Sequence, residues 1–193
     1  MRYLVVVFFL LFSGCVFKSL PPLHFYSINS NVNVASVATS PYKNRILKVS
    51  PPLSLDTPLD YKIYFKNSNG LSGSYQNSQW QTPLYKQLQR FLIVTLEHSH
   101  IFKSVVPIES NVFEDLRLES TIYRLENEIS DNTSYAVLDI ELRLINMEDR
   151  ALLKRKRFHY KVQAPTFDAT GYIEALNIAL ERFANDMVAW LAK

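Results

Sequence analysis

The residues best able to do chemistry in this chain are its four histidines and its single cysteine. His98 and His100 lie two positions apart, and residues at that spacing do not face each other on a helix. A zinc site of the H-E-x-x-H type needs two histidines on one helix face, and neither that motif nor a cysteine cluster is present in the sequence. We therefore expect no metal site, and we expect both histidines at a solvated helix end.

Nucleophilic and phosphate-transfer chemistry also lacks its usual residue patterns. The sequence has no G-x-S-x-G motif and only four glycines, too few for a glycine-rich phosphate-binding loop. Asp56 and Asp60 flank the tripeptide TPL in a proline-bounded loop, which is a weak signal for acid–base carboxylates. We therefore expect no catalytic residues and no cofactor, and predict that the protein is not an enzyme.

The amino terminus has the composition of a secretory signal peptide. Arg2 gives a positive start, residues 3–12 are almost entirely apolar, and the small residues Ser13 and Gly14 follow. This apolar run is shorter than the roughly 20 residues that a membrane-spanning helix needs. A buried helix is the alternative, but such a helix would normally have a polar face and a cap. Residues 1–14 are therefore predicted to be a signal peptide.

Ser13, Gly14 and Cys15 resemble the lipobox of bacterial lipoproteins, in which the chain is cleaved before the cysteine and the thiol receives a diacylglyceryl group. Phe12 stands where leucine is usual, and it is likewise bulky and apolar. The resemblance implies cleavage after Gly14 and acylation of Cys15 with chains such as palmitate. An unmodified buried cysteine is the alternative. Two or three acyl chains on Cys15 would hold the mature protein firmly on a membrane.

This reasoning divides the mature chain into a short tether and one domain. Residues 15–23 hold the acylated cysteine and the tether, and residues 24–193 have a usual length for a single domain. The nine steps from Cys15 to His24 reach about 30 Å when fully extended, so the domain must lie close to its membrane. The net charge of +3 is too small to favour nucleic acid as a partner.

Alternation of apolar and polar residues predicts several strands, at residues 45–50, 60–65, 71–76, 116–129, 135–146 and 151–163. The second and third are joined by the turn N-S-N-G and are expected to form a hairpin. The last three are expected to form a half-buried antiparallel meander. In the first strand of the meander the apolar positions change phase after Ile122, which predicts a bulge.

Two amphipathic helices complete the expected fold. The first is predicted to begin with Thr82 as its N-cap and Pro83 at its first helical position. The second is predicted from apolar residues that recur every three or four positions, namely Ile173, Leu176, Leu180, Phe183, Met187 and Trp190. The sequence thus predicts an α+β fold, in which an antiparallel-rich sheet carries two long amphipathic helices packed on one face.

The run KRKR at residues 154–157 lies within a predicted strand. Only alternate residues of a strand share a face, so Arg155 and Arg157 can form one basic contact face but the four charges cannot act together. Such a face could bind lipid headgroups or an acidic partner. The alternative is an exposed strand whose positive charges prevent edge-to-edge pairing.

A series of short motifs follows the lipobox in a fixed order. It consists of HFYSI, ILKVSPPLSLDTPLDYKIYF, LSGSYQNSQWQTPL and a terminal helix ending in AWL. Leu55, Asp56 and Pro58 form an L-D-x-P element, and Tyr75 and Trp80 lie on the hairpin arm before the first helix. In this order, the motifs resemble the ABC-type transport auxiliary lipoprotein family over roughly residues 24–191. The five named residues are therefore family-motif or partner-contact positions, with a fold-building role as the alternative for Asp56 and Trp80.

Members of this family accompany MCE-type lipid transport systems of Gram-negative envelopes. The resemblance implies a lipid-anchored protein that faces the periplasm, docks an MCE-type or ABC transporter component, and assists the passage of phospholipid. It also implies an outer-membrane location, because Val16 is not the aspartate that retains lipoproteins in the inner membrane. A homo-oligomer is compatible with this role. The alternative is a structural lipoprotein that assists assembly of an outer-membrane component.

Overall fold

The architecture is set by three long consecutive strands and by two helices that cover one side of them. The computed structural model describes residues 21–193. In chain order its elements are β1 (His24–Tyr26), β2 (Ile46–Val49), β3 (Leu53–Ser54), β4 (Lys62–Asn67), β5 (Ser72–Trp80), α1 (Leu84–Ser99), β6 (Ser104–Pro107), β7 (Leu116–Ser130), β8 (Thr133–Asn146), β9 (Leu152–Gln163) and α2 (Ala169–Leu191).

The sheet is mixed, which corrects the antiparallel-rich sheet expected from the sequence. Strands β7, β8 and β9 form the predicted antiparallel meander, and β4 and β5 form the predicted antiparallel hairpin. The other edge of β7 pairs in parallel with β2, β3 and β4, and the outer strands β1 and β6 pair in parallel with β5 and β2. Strands β2, β3 and β4 share one direction because the chain advances along the same edge of β7, whereas β1 runs the opposite way beside β5. The α+β class is confirmed.

The predicted bulge in β7 is confirmed. The register with β8 shifts between Ile122 and Arg124, so Tyr123 has no direct partner in β8. Ile122 before the bulge and Leu125 after it are both buried. The extra residue therefore keeps the apolar side chains of β7 on the helix side of the sheet along the whole strand.

The first helix begins one residue later than predicted, and its N-terminus is capped differently. Pro83 occupies the N-cap position and makes no side-chain hydrogen bond. The first two helical N–H groups donate to the carbonyl oxygens of Asp60 and Leu59, at 3.0 and 3.1 Å. The prediction of Thr82 as N-cap is therefore wrong, because the loop before β4 already supplies the acceptors that a capping side chain would offer.

The terminal helix carries the predicted apolar stripe, which is buried except at the half-buried Trp190. Its N-cap is Asp168, whose carboxylate accepts a hydrogen bond from the Gly171 N–H at 3.0 Å. The Phe183 ring packs between the Phe91 ring of α1 and the Phe158 ring of β9, with centroids 6.3 and 5.3 Å apart. Within residues 21–193, neither helix is long and apolar enough to cross a bilayer.

Candidate functional site

The segment between β3 and β4 forms an open, mainly apolar groove beside the start of α1. Its volume is about 520 Å³, and we call it the loop groove. Asp56 and Pro58, two of the predicted motif residues, line it, and Leu55 is exposed next to them. Its other lining residues include Leu53, Tyr61, Pro83 and Tyr85. The structure thus brings the L-D-x-P element together with residues from β3 and α1.

Hydrogen bonds hold both ends of this segment in place. At the start, the Leu55 N–H donates to the Ile122 carbonyl of β7 at 3.1 Å. At the end, the Asp60 carboxylate accepts from the Lys62 N–H at 2.7 Å and from the Tyr64 hydroxyl at 3.0 Å. Both carboxylate oxygens of Asp60 are therefore engaged in fixing the loop. We infer that the groove is preformed and that this aspartate has a structural role.

The solvent-exposed part of the loop groove is largely apolar. Leu53 is 61% exposed and Tyr61 is 52% exposed, and Leu55 is exposed to a similar degree. Clustered large apolar side chains on a protein surface mark interaction sites rather than random exposure. The arrangement can bind an apolar segment.

Trp80 belongs to the structural core, and Tyr75 is a half-buried residue packed against it. The Trp80 side chain is only 1% exposed. The Tyr75 hydroxyl donates to the side-chain oxygen of buried Asn127 at 2.6 Å and lies 3.1 Å from the Phe167 carbonyl. Burial, with a smaller effect of the Asp168 carboxylate, raises the pKa of Tyr75 to about 12. Both side chains join the hairpin to the body of the domain.

The predicted basic face is covered by ion pairs. Arg157 donates to both carboxylate oxygens of Asp139, at 2.6 and 2.7 Å, and its guanidinium lies 3.8 Å from the ring centroid of Tyr123. Arg155 lies 2.8 Å from the carboxylate of Glu141. Asp139 and Glu141 are buried beneath these arginines. The surface that Arg155 and Arg157 present is therefore largely neutralised.

The two lysines of the KRKR run point to the other side of the sheet. The Lys154 ammonium group donates to the Trp190 carbonyl of α2 at 3.1 Å. The Lys156 ammonium group lies 4.7 Å from the ring centroid of Phe158. The alternation expected for a strand thus separates the four charges.

Asp139→Asn is expected to remove part of the sensitivity of the fold to acid. A hydrogen bond from Arg157 is the main cause that lowers the pKa of Asp139, and the charges of Arg157 and His159 add to it. The ionised carboxylate therefore stabilises the fold above its unfolded pKa of about 3.9, and this contribution is lost as pH falls through the lower folded pKa. The midpoint of urea unfolding, followed by circular dichroism from neutral pH down to about pH 3, should fall less steeply in D139N.

The matched control is Asp131→Asn in the exposed turn between β7 and β8. Glu128 keeps a lowered pKa in both variants, because Lys161 and Arg124 remain bonded to it, so a residual acid dependence is expected. Identical pH profiles for D139N and the wild type would contradict the role given to the Arg157–Asp139 pair.

His98 and His100 lie at the end of α1. His100 is the C-cap, with a backbone φ of 55°, and one ring nitrogen lies 2.8 Å from the His98 carbonyl oxygen. In the part of the chain that the structure describes, no three His, Cys, Asp or Glu side chains are grouped closely enough to hold a metal ion. The predicted cleavage site at Gly14 and lipid attachment at Cys15 lie outside the described residues.

Comparison with known proteins gives one family and a set of structural neighbours. A family model described as "ABC-type transport auxiliary lipoprotein component" matches residues 26–188. A Xanthomonas campestris protein of the DUF330 family is 18% identical, with a TM-score of 0.75, and the match covers 87% of this chain and 94% of that one. An uncharacterized protein is 16% identical, with a TM-score of 0.67, and the match covers 88% and 99%. These structures show a shared fold, and no curated protein matches the chain.

Proposed function

The chain belongs to the ABC-type transport auxiliary lipoprotein family, as its sequence motifs predicted, and we propose that it is a non-enzymatic, lipid-anchored accessory protein of an MCE-type lipid transport system. In this proposal acylated Cys15 holds the domain on the periplasmic side of the outer membrane. The domain docks a transporter or tunnel component, and phospholipid passes through the partner. ATP is hydrolysed by a separate subunit, because this sequence contains no phosphate-binding loop.

The observation that carries the proposal is the loop groove. Its motif residues Asp56 and Pro58 lie beside exposed Leu53 and Tyr61 on a loop whose ends are fixed by hydrogen bonds. A preformed apolar surface loses little conformational freedom on binding, so more of the apolar contact energy remains for affinity. Burial of one such side chain contributes about 1.5–3 kcal/mol. We therefore assign the groove to an apolar segment of the transport partner.

Photocrosslinking in cells tests this assignment. A photoreactive amino acid at position 61 is expected to capture an MCE-type or ABC transporter component, and the same probe at position 155, on the ion-paired face, is not. Adding Leu53→Asp to the position-61 chain should abolish the crosslink, because a charge would enter an apolar contact. Leu53 is exposed, so the abundance of the variant should be unchanged.

Two other outcomes are informative. Capture of an outer-membrane barrel alone from position 61 would contradict the transport role and favour the assembly role. Capture of the transport component from position 155 but not from position 61 would show that docking uses the charged face of the sheet rather than the loop groove.

A further inference from the structure

A polar pocket lies where the chain passes from β1 over the start of α1. Its volume is about 350 Å³, and we call it the entry pocket. Lys86 and Arg90 of α1 line it together with the hydroxyl-bearing residues Ser27, Ser30 and Thr82, and none of its lining residues is acidic. It shares no lining residue with the loop groove. The entry pocket is therefore a separate site with a local excess of positive charge.

Side-chain hydrogen bonds fix the walls of the entry pocket. The buried side chain of Gln87 accepts from the Ile28 N–H at 2.9 Å and donates to the Thr82 carbonyl at 2.8 Å. The Ser27 hydroxyl donates to the side-chain oxygen of Gln81 at 3.0 Å. These bonds join the segment after β1 to the residues that begin α1, so the shape of the pocket is set before any ligand binds.

The two cations of the entry pocket are neighbours on one face of α1, because Lys86 and Arg90 are four positions apart in a helix. Both side chains are exposed, and among the described residues neither forms an ion pair with Asp or Glu. By contrast, Arg155 and Arg157 of β9 are each paired with a carboxylate. Like charges at this helical spacing repel each other and weaken the helix. An anion bound between them would offset that repulsion.

The donors around the entry pocket suit a phosphate group. The Arg90 guanidinium presents several N–H donors in a fixed plane and the Lys86 ammonium is a compact charge, and proteins use both to bind phosphate. The hydroxyls of Ser30 and Thr82 can add neutral hydrogen bonds. A phosphate has enough acceptor oxygens to meet two cations and a hydroxyl at once. The first two backbone N–H groups of α1 already donate to the preceding loop, so recognition falls to these side chains.

We infer that the entry pocket binds a phosphate group through Lys86 and Arg90. This site goes beyond the proposed docking function, because neither the loop groove nor Cys15 takes part in it. Two sources offer the same chemistry, namely the headgroup of a phospholipid and a free phosphate compound. The experiment below separates them.

Isothermal titration calorimetry on the full mature chain, kept in micelles of the neutral detergent dodecyl maltoside, tests the site. Two soluble probes are titrated: inorganic phosphate, and glycerophosphoglycerol, which is the headgroup of phosphatidylglycerol without its acyl chains. Lys86→Gln and Arg90→Gln should each weaken saturable binding about tenfold, because each removes a hydrogen bond between charged groups. The matched control is Arg182→Gln, at an exposed arginine of α2 outside the pocket, which should bind like the wild type.

The relative affinities of the two probes identify the source of the phosphate. Tighter binding of glycerophosphoglycerol than of inorganic phosphate would assign the entry pocket to a lipid headgroup. The reverse order would assign it to a free phosphate compound.

Three results would overturn the inference. They are no saturable binding of either probe to the wild type, binding that neither Lys86→Gln nor Arg90→Gln weakens, and an equal loss in Arg182→Gln, which would show attraction to the overall charge. None of them touches the docking proposal, because the crosslink from position 61 reports on the loop groove. All three substituted side chains are exposed, so the midpoint of urea unfolding should stay at the wild-type value.

Discussion

Trp80→Ala is expected to lower the free energy of unfolding by about 3–5 kcal/mol, the usual cost of removing a large aromatic side chain from a core. The side chain is 1% exposed, and its position at the end of β5 joins three parts of the fold. Trp80 pairs with Tyr26 of β1, and the backbone N–H of Trp80 donates to the Tyr61 carbonyl at 2.8 Å. Domains of this size have a total stability of about 5–15 kcal/mol, so the loss is a large fraction of it.

Urea unfolding followed by circular dichroism measures this loss, and Leu55→Ala is the matched control. Leu55 belongs to the same set of motif residues but is exposed, so its truncation should change stability by no more than about 0.5 kcal/mol. The opposite pattern would contradict the assignment. If W80A unfolds at the wild-type urea concentration but loses the crosslink from position 61, Trp80 is a partner contact rather than a core residue.

The meander and the helices could be predicted because their signals are local. Alternation in β7, β8 and β9 fixes which side chains share a face, and the phase change after Ile122 locates the bulge at the residue where the register shifts. The spacing along α2 likewise identified its buried face. A pattern of this kind fixes the faces of a strand but not its neighbours. The parallel pairing of β2, β3 and β4 with one edge of β7 therefore did not follow from the sequence.

The candidate site could be predicted only in part, because a local motif does not show which residues from other parts of the chain lie beside it. The motif identified Asp56 and Pro58, which do line the loop groove, but nothing in the sequence joined them to Tyr61 and Tyr85. Those residues meet because the loop carbonyls cap α1, a tertiary contact that replaces the local cap expected at Thr82. The sequence signal that could have indicated this groove was the presence of large apolar residues in a proline-rich loop.

The charged residues of β8 and β9 illustrate a second limit of prediction from the sequence. Alternation correctly separated Arg155 and Arg157 from the neighbouring lysines, and it placed Asp139 and Glu141 on a single face of β8. Whether those two faces coincide depends on the register between β8 and β9, which no single strand encodes. Once the register is known, Glu141 lies opposite Arg157, and the basic face becomes an ion-paired surface.

Cys15→Ala is expected to release the protein from the membrane fraction. Each buried methylene contributes about 0.8 kcal/mol, so two acyl chains would hold the mature protein firmly on the membrane. The variant needs a leader with an A-x-A cleavage site, so that secretion no longer depends on the lipobox. Carbonate extraction and the intact mass of the mature chain then measure anchoring and acylation. Phe12→Leu is the control, and it should be processed and anchored like the wild type.

Loss of the anchor should also weaken docking without any change in the loop groove. Tethering two partners to nearby surfaces raises their effective concentration, and this contribution disappears when the domain diffuses through the periplasm. The crosslink from position 61 should therefore fall in Cys15→Ala, while Leu53→Asp abolishes it with the anchor intact. An undiminished crosslink in the released protein would show that docking does not depend on the membrane. A Cys15→Ala chain that stays in the membrane fraction with an unmodified N-terminus would show that the domain has another means of attachment.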